Sequence, residues 1–401
     1  LPKSHPIPSP PSRNLQFVQG TALETRGEVT ATAYDATGTR MVTCTAAGAV
    51  HVWDRDDDTD TVRDDAPGPW RQSSSWAAHE NGACTSIAFA PSEFGQCICT
   101  CGTDGSVRVW REAPLVPLGA SGQAASHAAA AAATAADEGT YEWVLVGDLR
   151  DARGAVEHCD FAPAAFGLAL VTGGADGVVR FYRPRNELQC LDWELTNEFE
   201  ALDPGARVSC LRWRVPTAAD ELRNGADDDD DKTGPRDKIP QAIAVGFAWS
   251  DKSDARVLTF DEGNNRWVGA CVFYQDCLPV TDLAWAPNAD ASPAGAAETI
   301  ACAVAAEVLV FRVFGLGETG GWMGRNAQEM TVSPGSSEPA YDAKLKSTRS
   351  ATLSHPRHVT DLDWNMVGTT LATSAADGIV RVWAVNMQTG VWEARAQLVG
   401  E

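Results

Sequence analysis

Positive charge is what this sequence has least of. Its 401 residues carry 32 Lys and Arg against 54 Asp and Glu, for a formal charge of −22 and a pI near 4.6. Sequence-independent contact with nucleic acid or anionic lipid requires a basic face, so both partner classes are disfavoured. No apolar run reaches the roughly 18 residues that cross a bilayer as a helix, and no secretory leader opens the chain. The seven histidines form no H-E-x-x-H pair, and neither a G-x-S-x-G elbow nor a Walker loop occurs. Those gaps remove the commonest zinc-protease, serine-hydrolase and nucleotide-binding readings, so no catalytic residue, cofactor or metal is predicted. The eleven cysteines are an odd number without metal-ligand spacing. Cys97, Cys99 and Cys101 alternate, so on a strand they share one face and read as packed, reduced core. A soluble, reducing compartment, cytosol or nucleus, is the expectation. Beginning on Leu1 rather than Met, the chain is expected to lack its native N-terminus.

What is present is repetition. Val359–Trp364, Thr370–Ser374 and Ile379–Trp383 are short runs rich in β-branched and aromatic residues, separated by turn residues that include Asp377-Gly378. Three such strands make a meander that cannot bury both faces alone. Its polar residues are spaced to form a chain: the Trp383 indole needs an acceptor, Thr373 can supply one, His355 can continue from the hydroxyl, and Asp377 can fix the imidazole tautomer. The same spacing recurs at Thr100, Asp104 and Trp110, with His79 upstream, and in part at Thr172, Asp176 and Tyr182. The loop F-A-P-S-E-F-G at Phe89–Gly95 returns as F-A-P-A-A-F-G at Phe161–Gly167.

This pattern resembles the structural tetrad of WD-repeat proteins, and it predicts an all-β fold, a six-bladed WD-repeat β-propeller, as a single domain over residues 15–401. Residues 1–14 read as a disordered tail, and loop inserts are expected at about 113–140, 217–238 and 315–346. In WD repeats the N-terminal strand usually completes the last blade. Here Val391–Leu398 already offers that strand, which leaves Leu15–Leu23 over, three strands short of a seventh blade. Either the ring is open and a partner donates the missing strands, or it is closed and the last strand is a tail.

The ordered set E-F-G-Q at Glu93–Gln96, F-A-P-x-x-F-G-L-x-L at Phe161–Leu170, A-D-G-V-V-R-F-Y at Ala175–Tyr182, I-A-V-G at Ile243–Gly246 and T-D-L-A-W-A-P-N at Thr281–Asn288 resembles the Seh nucleoporins, the Sec-thirteen homologues. The resemblance runs from about Phe17 to Val399 and breaks at the inserts. It implies an open propeller completed by a seventh blade donated in trans by a helical scaffold nucleoporin of the Nup-eighty-five type. It further implies membership of the Y-shaped nuclear pore subcomplex at the nuclear envelope, in nucleocytoplasmic transport of mRNA and protein. The same family sits in the SEA/GATOR assembly of TOR signalling at the vacuolar or lysosomal periphery. On this reading the strand edges that meet the partner include Phe17, Val18, Gln19, Gly20, Val29, Val50, Val52, Val359, Val380 and Val382. The sets His79/Thr100/Asp104/Trp110 and His355/Thr373/Asp377/Trp383 are structural. A Sec-thirteen-like vesicle-coat subunit and a WD-repeat peptide reader are the alternatives.

Overall fold

The computed structural model describes residues 27–55, 70–114, 141–201, 204–216, 239–287, 297–316 and 345–399. They form six four-stranded antiparallel sheets, each built from four consecutive strands. Blade 1 comprises β1 (Val29–Tyr34), β2 (Arg40–Thr45), β3 (Ala49–Arg55) and β4 (Trp70–Ala77). Blade 2 comprises β5 (Cys84–Phe89), β6 (Cys97–Gly102), β7 (Val107–Pro114) and β8 (Tyr141–Leu149). Blade 3 follows with β9 (Val156–Phe161), β10 (Leu170–Gly174), β11 (Val178–Asn186) and β12 (Leu191–Glu200). Blade 4 holds β13 (Arg207–Trp213), β14 (Ala242–Ala248), β15 (Ser253–Asp261) and β16 (Arg266–Asp276). Blade 5 holds β17 (Val280–Trp285), β18 (Glu298–Val304), β19 (Glu307–Phe314) and β20 (Lys346–Ser354). Blade 6 closes the chain with β21 (Val359–Trp364), β22 (Thr370–Ala375), β23 (Ile379–Val385) and β24 (Trp392–Val399).

The expected all-β propeller is what forms, and the strand bounds follow the residues. Runs of Val, Ile, Cys and Ala make the middle strands, and β6 is buried at every position because both of its faces meet a neighbouring blade. Cys97, Cys99 and Cys101 share the face towards blade 3, with Cys99 Sγ lying 3.2 Å from Cys159 Sγ. Tight turns with Gly in the left-handed region join the middle strands, at Gly48, Gly105, Gly177 and Gly378. The two F-A-P loops fold alike, as 3₁₀ turns at Ser92–Phe94 and Ala164–Phe166 ended by Gly95 and Gly167 at positive φ. Most of the expected inserts, like the N-terminal tail, lie outside the described residues. Among the described residues no helix is long and apolar enough to cross a membrane.

The inner strands line up around the axis: β1 packs on β5, β5 on β9, β9 on β13, β13 on β17 and β17 on β21. Each of these five seams holds its own apolar core. Val42, Cys44, Val50 and Val52 meet Ile87, Ile98 and Trp110 in the first, and the remaining four cores follow between blades 2 and 3, 3 and 4, 4 and 5, and 5 and 6. Among the described residues no comparable packing joins β21 back to β1.

Candidate functional site: the tetrads and the sixth seam

Two tetrads test the chemistry first. In blade 2 the Trp110 indole donates to Thr100 Oγ1 at 3.1 Å, His79 Nε2 lies 3.0 Å from that hydroxyl, and His79 Nδ1 lies 3.1 Å from Asp104 Oδ1. These partners assign the proton to Nδ1, so the hydroxyl donates to the bare Nε2 and accepts from the indole. Burial holds the His79 ring below its ordinary value, against the pull of Asp104. Burial would raise Asp104, but the hydroxyl and backbone N–H of Ser106, with His79, keep it low. A hydroxyl, an imidazole and a carboxylate in line could suggest a nucleophile. This one is sealed: His79 and Thr100 have no exposed surface, and the hydroxyl is already engaged by the indole and the imidazole.

Blade 6 departs from the expected set in its last link. Trp383 donates to Thr373 Oγ1 at 3.0 Å and His355 Nε2 lies 2.8 Å from it, but His355 Nδ1 turns to the Leu353 carbonyl at 3.2 Å. Asp377 takes Arg381 instead, at 2.6 and 3.2 Å. A charge-assisted bidentate pair outcompetes a neutral imidazole, and Ile379 stands where Ser106 steadies Asp104 towards its histidine. The partial third set, in blade 3, keeps Asp176 on Arg180 at 2.7 Å. There the buried Tyr182 hydroxyl bonds Asp151, in the loop position that His79 takes in blade 2. Sequence reading missed Asp151 because no imidazole marks the place.

The seams explain how neighbouring blades are held. A β-bulge near the start of each inner strand aligns Val29, Cys84, Val156, Val208, Val280 and Val359 as equivalents. The second residue then reaches forward to the next blade's first carbonyl: Thr30 donates to Cys84 O at 2.6 Å, Thr85 to Val156 O at 2.6 Å, and Thr281 to Val359 O at 3.1 Å. Carboxylates further along accept the next strand's N–H groups, Asp160 from Trp213 at 3.0 Å and Asp282 from Leu362 at 2.8 Å. The aromatic at the strand's end reaches backward, as Trp213 Nε1 does to Asp160 O and Trp364 Nε1 to Ala284 O. At the channel end, residues of all six inner strands line a cavity of about 390 Å³, where Arg212 stands among Asp160 and Asp363.

The WD domain, G-beta repeat family matches residues 70–111 and 347–384, the two segments that carry the tetrads built on histidine. The chain is similar to Nucleoporin SEH1 of Danio rerio, 27% identical across 92% of this chain and 83% of that protein. It is also 26% identical to Nucleoporin SEH1 of Bos taurus and of Homo sapiens, each across 92% of this chain and 84% of the relative. These matches support a WD-repeat chain similar to the Seh nucleoporins.

Within the propeller, the structure sorts the ten residues proposed from sequence as a partner edge. Phe17, Val18, Gln19 and Gly20 lie outside the described residues. Val50 and Val52 do not face the sixth seam: they are 0% exposed in the core shared with blade 2, because strand alternation turns them towards Ile98 and Trp110. Val359 is also 0% exposed, in the core shared with blade 5. These three are corrected to internal seam residues. Val380 and Val382 lie on the opposite face of β23 from Trp383, turned to the sixth seam and half-buried, whereas their equivalents Val107 and Val109 in blade 2 are buried against blade 3. Val29 sits exposed at the start of β1.

Other residues on the sixth seam went unlisted by sequence. In blade 1, Met41, Thr43, Thr45, His51 and Trp53 share the face away from blade 2, and Trp53 Nε1 donates to Thr43 Oγ1 at 3.1 Å. In blade 6 the turn glycine differs from its equivalents. A Cβ on Gly48 would run into His79 O, one on Gly105 would meet Gly154 O at 3.1 Å, and one on Gly177 would meet Ala206 O at 2.5 Å. One on Gly378 meets nothing within 4 Å. Among the described residues, then, the blade 6 turn has no following blade to press on.

Proposed function

We propose that this protein is a non-enzymatic scaffold nucleoporin that accepts a β-blade from a helical scaffold partner of the Nup-eighty-five type in the Y-shaped subcomplex of the nuclear pore. The observation that carries the reading is the count of seams: six complete blades, five apolar cores, and a last inner strand, β21, with no described strand packed on its far side. The half-buried face of β23 and the unpaired inner position beside β21 are what a donated blade would cover, through backbone hydrogen bonds and apolar burial together. The kinship with nucleoporins SEH1 supports the pore as the place of assembly. The same mode of binding extends to a SEA/GATOR complex acting on TOR signalling, where the protein is again a structural subunit.

The test is co-expression with the helical scaffold partner, with and without that partner's N-terminal strand segment. Recovery of a soluble complex that depends on the segment supports blade donation. A monomer indifferent to the segment sinks it, and makes the cavity at the channel end, with Arg212 among carboxylates, the place to look for a bound peptide.

A further inference from the structure

Blade 6 carries the forward-reaching groups of the other seams, and among the described residues no strand stands where they reach. Thr360 is the equivalent of Thr30, Thr85 and Thr281, each of which donates to the next blade's first carbonyl. Here its hydroxyl turns back 2.8 Å to the half-buried Ser374. Asp361 occupies the position of Asp282, and Asp363 that of Asp160, the two carboxylates that accept the next inner strand's N–H groups. Both are exposed, and Asp361 bonds sideways to Asp282. Across the seam, Tyr34 holds the place of Trp213 and Trp364, aromatics that press back on the preceding blade. Those two are buried and Tyr34 is 56% exposed, with Trp70 edge-on at 5.9 Å.

Building on the seventh-blade reading, we propose that Thr360, Asp361, Asp363 and Tyr34 form a slot for one inner β-strand of a second polypeptide, held by its main chain. The strand runs in the same direction as β21. Its first carbonyl accepts from Thr360, two of its N–H groups donate to Asp361 and Asp363, and its last carbonyl lies against Tyr34. A helix cannot take this place, because its N–H and C=O groups are bonded internally except at the ends. The run Leu15–Leu23 of the same chain is tied too closely to β1. Five residues separate them, and a neighbour parallel to β1 needs a connection of about a dozen or more. Recognition at the slot therefore fixes register and direction, and leaves side-chain specificity to the outer strands of the inserted blade.

The test uses the full chain carrying Thr360→Val and Asp363→Ala together, and separately Tyr34→Ala, with the strand segment of the helical scaffold partner as the probe. Titration should show affinity lowered about tenfold or more for each variant, with the melting temperature of the free chain unchanged, since these groups hold no other blade. Thr281→Val, the equivalent inside the fifth seam, should do the reverse, lowering the melting temperature and leaving affinity within about twofold. Normal binding by the variants overturns the slot and leaves blade donation standing. Failure of the unsubstituted protein to bind overturns both. Loss of hydrogen-exchange protection along β21 on deleting residues 1–26 would assign the slot to the chain's own N-terminal run and overturn the proposal as well.

Discussion

Asp104 reaches the buried ring of His79 at 3.1 Å, and its counterpart Asp377 does not reach His355. The two tetrads share a sequence pattern and differ in what holds the carboxylate. Ser106 donates to Asp104 Oδ1 at 2.7 Å and leaves it facing the imidazole, while Arg381 draws Asp377 aside. His79→Ala therefore takes a partner from a partly buried carboxylate as well as from a buried hydroxyl, and His355→Ala takes one from the hydroxyl alone. The first should cost about 2–3 kcal/mol in urea unfolding and the second about 1 kcal/mol. Equal losses would mean that the Asp104 link contributes nothing.

The strands were legible because their residues repeat a local pattern. Val359–Trp364 was readable to the residue, and Asp377-Gly378 marked its turn. What the pattern hid was the side of the sheet. Val52 and Val382 occupy equivalent places beside Trp53 and Trp383, yet one is sealed by blade 2 and the other faces the sixth seam. That difference belongs to the ring, which sequence periodicity does not encode. The forward-reaching Thr and Asp residues were hidden for a second reason: only the shared bulge brings Thr30, Thr85, Thr281 and Thr360 into register. Asp151 was missed because a carboxylate stands where a histidine was sought.

The turn glycines predict a graded response. Gly48 and Gly378 both hold positive φ, so alanine at either costs about 1 kcal/mol of backbone strain. At Gly48 the new methyl would also drive into the His79 carbonyl, whereas at Gly378 it meets open space. Gly48→Ala should lower stability by more than about 3 kcal/mol and Gly378→Ala by about 1 kcal/mol, read from denaturant midpoints. Similar midpoints for the two would argue that the blade 6 turn is covered.

Asp282 supplies a pH dependence. Burial raises its carboxyl from the ordinary 3.8 to about 7, with the Arg212 guanidinium pulling down and Asp361 pushing up. Between those values the folded chain holds a proton that the unfolded chain has released, so stability from this group grows as pH falls from 7 towards 3.8 and is lost above 7. Asp282→Asn copies the protonated form and can still accept from the Leu362 N–H. It should stabilise the protein by more than about 1 kcal/mol at pH 8, by less at pH 5, and little below 3.8. A loss at both pH values would show that the ionised carboxylate is what the seam requires.

The corrected edge residues give the sharpest contrast between fold and partner. Val52→Asp places a carboxylate in the first apolar core, among Val42, Ile98 and Trp110, with no cation to meet it. A buried, unpaired charge of this kind should cost more than about 4 kcal/mol and yield little soluble protein. Val382→Asp makes the same change at the equivalent strand position, on a face that is half-exposed. The free chain should keep its melting temperature to within about 1 kcal/mol of stability, since water already reaches the site. Binding of a donated blade should nonetheless fall sharply, because that blade would have to bury the new charge against its own apolar face. The two variants therefore separate the roles that sequence alone assigned to both valines: one is part of the ring, and the other belongs to whatever closes it. If Val382→Asp binds the scaffold segment as the unsubstituted protein does, blade 6 does not present this face to a partner.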